Sequence, residues 1–135
     1  MIKIFDASAL ICLLQKQTGY KKIYDLFKES EQKRTTIFIH QINFIEVVYF
    51  LLKIYGSLKT KQVIADLNSP FFGIVNYMDN DLAFFTSSLK STHQLSLGDA
   101  VGLAYTKIMN GEFWTKDQQL LKIAEKEKIN LKLIR

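Results

Sequence analysis

Short β-branched and aromatic runs alternate with helix-length amphipathic stretches along the whole chain, and this alternation restricts the fold more than any other feature. Ile2 to Phe5 forms the first short apolar run, and Thr35 to Ile39, Gly73 to Tyr77, Glu112 to Thr115 and Asn130 to Leu133 supply four more. Such runs favour strands. Between them, helices are predicted over 7–14, 20–29, Gln41 to Tyr55, Ser57 to Leu67, Asp81 to Thr92, Leu97 to Met109 and 118–127. Gly56 ends the third of these, and Asn68-Ser69-Pro70 stops the fourth. Strands that alternate with helices imply an α/β fold with a central, mostly parallel sheet covered on both faces, a three-layer α/β/α arrangement. A length of 135 residues suits one domain spanning 1–135, and no repeat or linker interrupts it.

In an open sheet of this kind, ligands bind beyond the carboxyl ends of the strands, where the strand order reverses. Asp6 directly follows the first strand and Asp117 closely follows the fourth, so both belong to that edge. Each also has a purely local explanation, because Asp is a favoured helix N-cap. Asp99 has one as well: Ser96 and Asp99 have the spacing of a capping box, although Glu or Gln is the usual partner. Glu46 has none. It lies mid-helix in INFIEVVYFLL, a segment apolar enough to be covered over most of its circumference, so its charge needs a partner. Lys53, two turns on, could form an ion pair with it, but the reach is long; metal or site chemistry is the better explanation.

Other chemistries are poorly supported. Cys12 is the only cysteine, which excludes an intrachain disulfide and suits a packing role in a reducing, cytoplasmic setting. One Cys and the distant His40 and His93 offer no zinc-ligand spacing, and the two histidines suit packing or surface roles. Neither G-x-G-x-x-G nor a P-loop occurs. A dehalogenase-type phosphatase would carry a second Asp where Ser8 stands. Trp114 and the phenylalanines fall at core spacings. The N-terminus lacks the pattern of a signal peptide, and no uncharged apolar run reaches the roughly 20 residues needed to span a bilayer. A net charge of +5 is compatible with a polyanionic partner, the densest basic stretch running through Lys16, Lys21, Lys22, Lys28, Lys33 and Arg34.

Taken together, D-x-S (Asp6, Ser8), N-x-x-E (Asn43, Glu46), the segment LSLGDAVGLA around Asp99 and T-x-D (Thr115, Asp117) make the chain resemble the PIN-domain ribonucleases. The likeness is to the VapC-type toxins of type II toxin–antitoxin pairs, and it extends over the whole chain. The resemblance implies a metal-dependent endoribonuclease whose metal-binding and catalytic acids are Asp6, Glu46, Asp99 and Asp117. Ser8, Asn43 and Thr115 would be supporting polar residues. It also implies an RNA substrate, a cognate antitoxin and a homodimer. Lys116, inside T-x-D, departs from the pattern and is a candidate phosphate contact; Gln119 stands where some relatives carry another acid. The rival reading is a PIN-fold binding or regulatory protein with little catalysis. Four carboxylates at one strand edge repel one another unless a cation neutralises them. An all-oxygen donor set suits Mg²⁺, with Mn²⁺ able to substitute. Gly98 and Gly102 flank Asp99 within its helix, where close packing of another backbone is expected.

Overall fold

A computed structural model describes residues 1–32 and 34–135; Lys33, part of the basic stretch, lies outside the described residues. The strands are β1 (Ile2–Phe5), β2 (Thr36–His40), β3 (Phe72–Val75), β4 (Glu112–Thr115) and β5 (Asn130–Leu133). They form a five-stranded parallel sheet in the order β3-β2-β1-β4-β5. The helices are α1 (Ala7–Leu14), α2 (Tyr20–Glu31), α3 (Gln41–Asp66), α4 (Asn80–His93), α5 (Leu97–Met109) and α6 (Leu120–Glu127).

Alternation along β1 separates two cores. Phe5 joins Ile37, Ile39 and Trp114 on one face, packed against α1, α2 and α3. Ile4 and Phe113 point to the other face, beneath α4, α5 and α6. Both sheet faces are therefore covered, as parallel sheets require, and the architecture is the expected three-layer α/β/α. Trp114 is core, its ring 6.0 Å from that of Phe5 and its indole N–H given to Glu112.

Element ends depart from the sequence-based bounds by one or two residues, which is ordinary fraying. At Gly56, with φ 77° and ψ 179°, α3 breaks into two arms, which are the two helices expected on either side of that residue. One difference matters more. The arm before the kink is less covered than its composition suggests. Ile45, Tyr49 and Leu52 are exposed, and so is Glu46. The expectation that Glu46 is buried in an enclosed helix is therefore incorrect.

The chain lays down β1, β2 and β3 to one side of β1, then crosses back to place β4 on its other side. The strand order thus reverses between β1 and β4, and the loops leaving these two strands flank the reversal.

Candidate metal and nuclease site

Asp6 occupies the β1 side of that reversal. It is 4% exposed and is the N-cap of α1, its Oδ1 accepting the Ala9 N–H at 2.9 Å. Capping accounts for only part of its environment. The Ser8 hydroxyl donates to Oδ1 at 2.6 Å, and the Thr115 hydroxyl donates to Oδ2 at 2.5 Å. Each hydroxyl also accepts a backbone N–H from the loop after β4: Lys116 N–H bonds Ser8 at 2.9 Å, and Asp117 N–H bonds Thr115 at 3.0 Å. The single proton of each hydroxyl is given to Asp6, so the 3.4 Å approach of the two oxygens is a contact between neighbours. This network ties the loop after β1 to the loop after β4. Of roughly four carboxylate lone pairs, three are used, leaving one on Oδ2. Burial pushes the Asp6 carboxyl up to about 6, against the opposing pull of these hydrogen bonds, and the charge of Asp99 adds to the rise.

Asp99 lies in the first turn of α5, its N–H held by the N-cap hydroxyl of Ser96 at 3.2 Å. Its carboxyl is raised by burial, with a further contribution from Asp117. Asp117 itself caps a turn, Oδ1 accepting the Gln119 N–H at 2.9 Å, and α6 starts only at Leu120. Glu46 is an exposed residue, yet its carboxyl lies against Gly98 and is raised by partial desolvation and then by Asp99. Asp99 is therefore the hub: its charge acts on Asp6 and Glu46, and Asp117 acts on it.

Pairwise charge effects thus link Asp99 to Asp6, Glu46 and Asp117, and the four acids come from four different parts of the fold. Among the described residues, the ion pairs are Lys3–Glu112 and His93–Glu127, and neither involves these acids. Lys53 lies 5.3 Å from the centre of the Tyr49 ring instead of pairing with Glu46. Among the described residues, no three His, Cys, Asp or Glu side chains lie close enough together in this conformation to hold a metal ion. The grouping is open, with oxygen donors only, and that chemistry fits a hard divalent cation that retains several of its waters.

The neighbours of these acids divide clearly. Ser8 and Thr115 are joined to Asp6 directly. Asn43 is 1% exposed and faces α5, its Nδ2 without a hydrogen-bond partner among the described residues. Lys116 enters the site through its backbone N–H, whereas its ammonium acts on Cys12 of α1, partly offsetting the upward push of burial on that thiol. His40 is structural: Nδ1 accepts the Ile42 N–H as the N-cap of α3, and Nε2 lies 2.8 Å from the Tyr77 carbonyl. His93 ends α4, one residue beyond the helix expected over Asp81 to Thr92, and meets Glu127 at 2.6 Å. The expectation of backbone packing at Gly98 and Gly102 is also corrected, because side chains fill both spaces: Glu46 and Asn43 lie over Gly98, and Phe113 and Asn43 over Gly102. Sequence reasoning missed this use of Gly98; its only signal was a helix glycine beside Asp99.

A family model for the PIN domain matches residues 3–126, nearly the whole chain and all four acids. The chain belongs to the PIN domain family. Solved structures share the fold of this PIN domain at low sequence identity. VapBC2 from Rickettsia felis, bound to a DNA fragment from its promoter, matches with a TM-score of 0.75 and 17% identity over 100% of both chains. A toxin–antitoxin complex from Klebsiella pneumoniae gives 0.67 and 22%, covering 90% of this chain and 92% of that one. VapBC-1 from nontypeable Haemophilus influenzae gives 0.70 and 10%, covering 98% of each. No curated protein matches the sequence.

Proposed function

We propose that this PIN domain is a Mg²⁺-dependent endoribonuclease that cleaves RNA phosphodiesters with a metal-activated water, and that it acts as the toxin of a toxin–antitoxin pair. The observation that carries this reading is the electrostatic grouping of Asp6, Glu46, Asp99 and Asp117 around Asp99, at the reversal of strand order. These four acids would hold Mg²⁺, or Mn²⁺ in its place. When bound, the cation supplies the charge that activates water and stabilises the departing oxygen.

The remaining roles belong to the chain itself. Ser8 and Thr115 orient Asp6 and keep the lone pair left on its Oδ2 available as a ligand. The network through Lys116 N–H and Asp117 N–H holds Asp117 in register with Asp6. A net charge of +5 recruits the phosphate backbone, and more strongly once the acids are neutralised by a cation. The partner proposed from the solved neighbours, which are described as VapBC proteins and a toxin–antitoxin complex, is a cognate antitoxin. A homodimer in the cytoplasm completes the proposal.

The direct test is induced expression of the wild-type chain and of Asp99→Asn, scoring growth and RNA integrity, beside cleavage of RNA by the purified proteins with and without chelator. Wild type should arrest growth and degrade RNA, chelator should stop the purified enzyme, and Asp99→Asn should do neither. Equal arrest by both proteins, or cleavage that survives chelation, would refute a metal-dependent nuclease.

A further inference from the structure

We infer that Gly98 is a positioning residue of the acid site: the space left by its missing side chain seats the Glu46 carboxylate beside Asp99. The inference rests on the reading that these acids hold a divalent cation, and it assigns a role to a residue that itself ligates nothing. Gly98 lies in the first turn of α5 without a positive φ, so its backbone conformation does not demand glycine. Glycine is also a poorer helix former than alanine. Space is what requires it. A Cβ at this position would lie 2.2 Å from Glu46 Oε1, 3.3 Å from Glu46 Cδ and 3.1 Å from Asn43 Oδ1.

Gly102, one turn later, provides the contrast. A Cβ there would lie 2.5 Å from Cε1 of Phe113, a fully buried ring in the core under α5. That ring cannot retreat, so Gly102 serves packing. The nearest atom facing Gly98 is instead the tip of an exposed, flexible side chain, with the buried Asn43 Oδ1 farther off at 3.1 Å. A methyl group at Gly98 would therefore leave the fold intact and displace the carboxylate. An exposed Glu on an open helix face has many rotamers. Lodging its end against the α5 backbone, with Asn43 as the adjoining wall, restricts it to the position where it senses Asp99. Holding a ligand in place before the cation arrives is what makes an open site bind.

The test compares Gly98→Ala, Glu46→Ala, the double variant and Gly102→Ala by calorimetric Mn²⁺ titration and by thermal melts in chelator. Gly98→Ala should melt at or above the wild-type midpoint while binding Mn²⁺ about 10- to 100-fold more weakly, the range typical of lost ligand support. In the Glu46→Ala background the same methyl should change Mn²⁺ affinity no further. Gly102→Ala should lower the midpoint in either background. Unchanged Mn²⁺ affinity in Gly98→Ala, or an equal loss with Glu46 already removed, would overturn the seat while leaving the metal reading intact. A wild-type protein that takes up no Mn²⁺ would overturn the metal reading and the seat with it.

Discussion

Asp6 caps a helix and in the proposed site would also be a ligand, and the two roles use different lone pairs. Oδ1 accepts from Ala9 and Ser8, while Oδ2 accepts from Thr115 and has one lone pair left, which the proposed cation would use. Burial raises its carboxyl from 3.8 to about 6, so the folded chain holds the Asp6 proton more tightly than the unfolded chain. This contribution to stability is complete below about pH 4 and lost as the pH rises through about 6, a loss of about 3 kcal/mol at neutral pH. The metal-free Asp6→Asn protein should therefore gain stability relative to wild type between pH 4 and 7. Denaturant unfolding in chelator at both pH values measures it; a pH-independent difference would show that Asp6 is not destabilised by its own charge. The sequence exposed Asp6, Ser8, Thr115 and Asp117 because strand ends and short motifs are local. It did not reveal that the two hydroxyls bridge two loops, since that depends on β1 and β4 being neighbours.

Helix α3 marks the boundary of what its sequence reveals. The alternation of strands and helices follows from local chemistry, so all five strands were recognisable within one or two residues. Whether an apolar helix is covered depends on what packs against it, and Ile45, Tyr49 and Leu52 have the same composition exposed as they would buried. Glu46 was singled out for its surroundings within α3, whereas its electrostatic neighbour is Asp99 on α5. Gly56 was recognisable as a break, since its φ of 77° with an extended ψ is a conformation that only glycine adopts readily. No atom of the described residues lies within 4 Å of a Cβ built there, so none of them crowds the position. Gly56→Ala should cost about 1–3 kcal/mol from backbone strain alone, read as a lower denaturant midpoint. Unchanged stability would mean that the two arms of α3 can join into a straight helix without penalty.

Across the whole molecule, the order β3-β2-β1-β4-β5 brings residues more than a hundred positions apart into one network, in a chain whose net charge is +5. If Lys116 contacts the RNA backbone, Lys116→Ala should weaken binding and make it less salt-dependent, by a slope of about 1. Identical slopes would leave Lys116 with its backbone role beside Ser8 alone. The proposed nuclease rests above all on whether the four acids bind one kind of cation together. Calorimetric titration of Mn²⁺ into wild type, Glu46→Gln and Asp99→Asn at neutral pH measures this directly. Saturable binding by wild type, strongly weakened in both variants, is the expected result; equal affinity in all three proteins would contradict it.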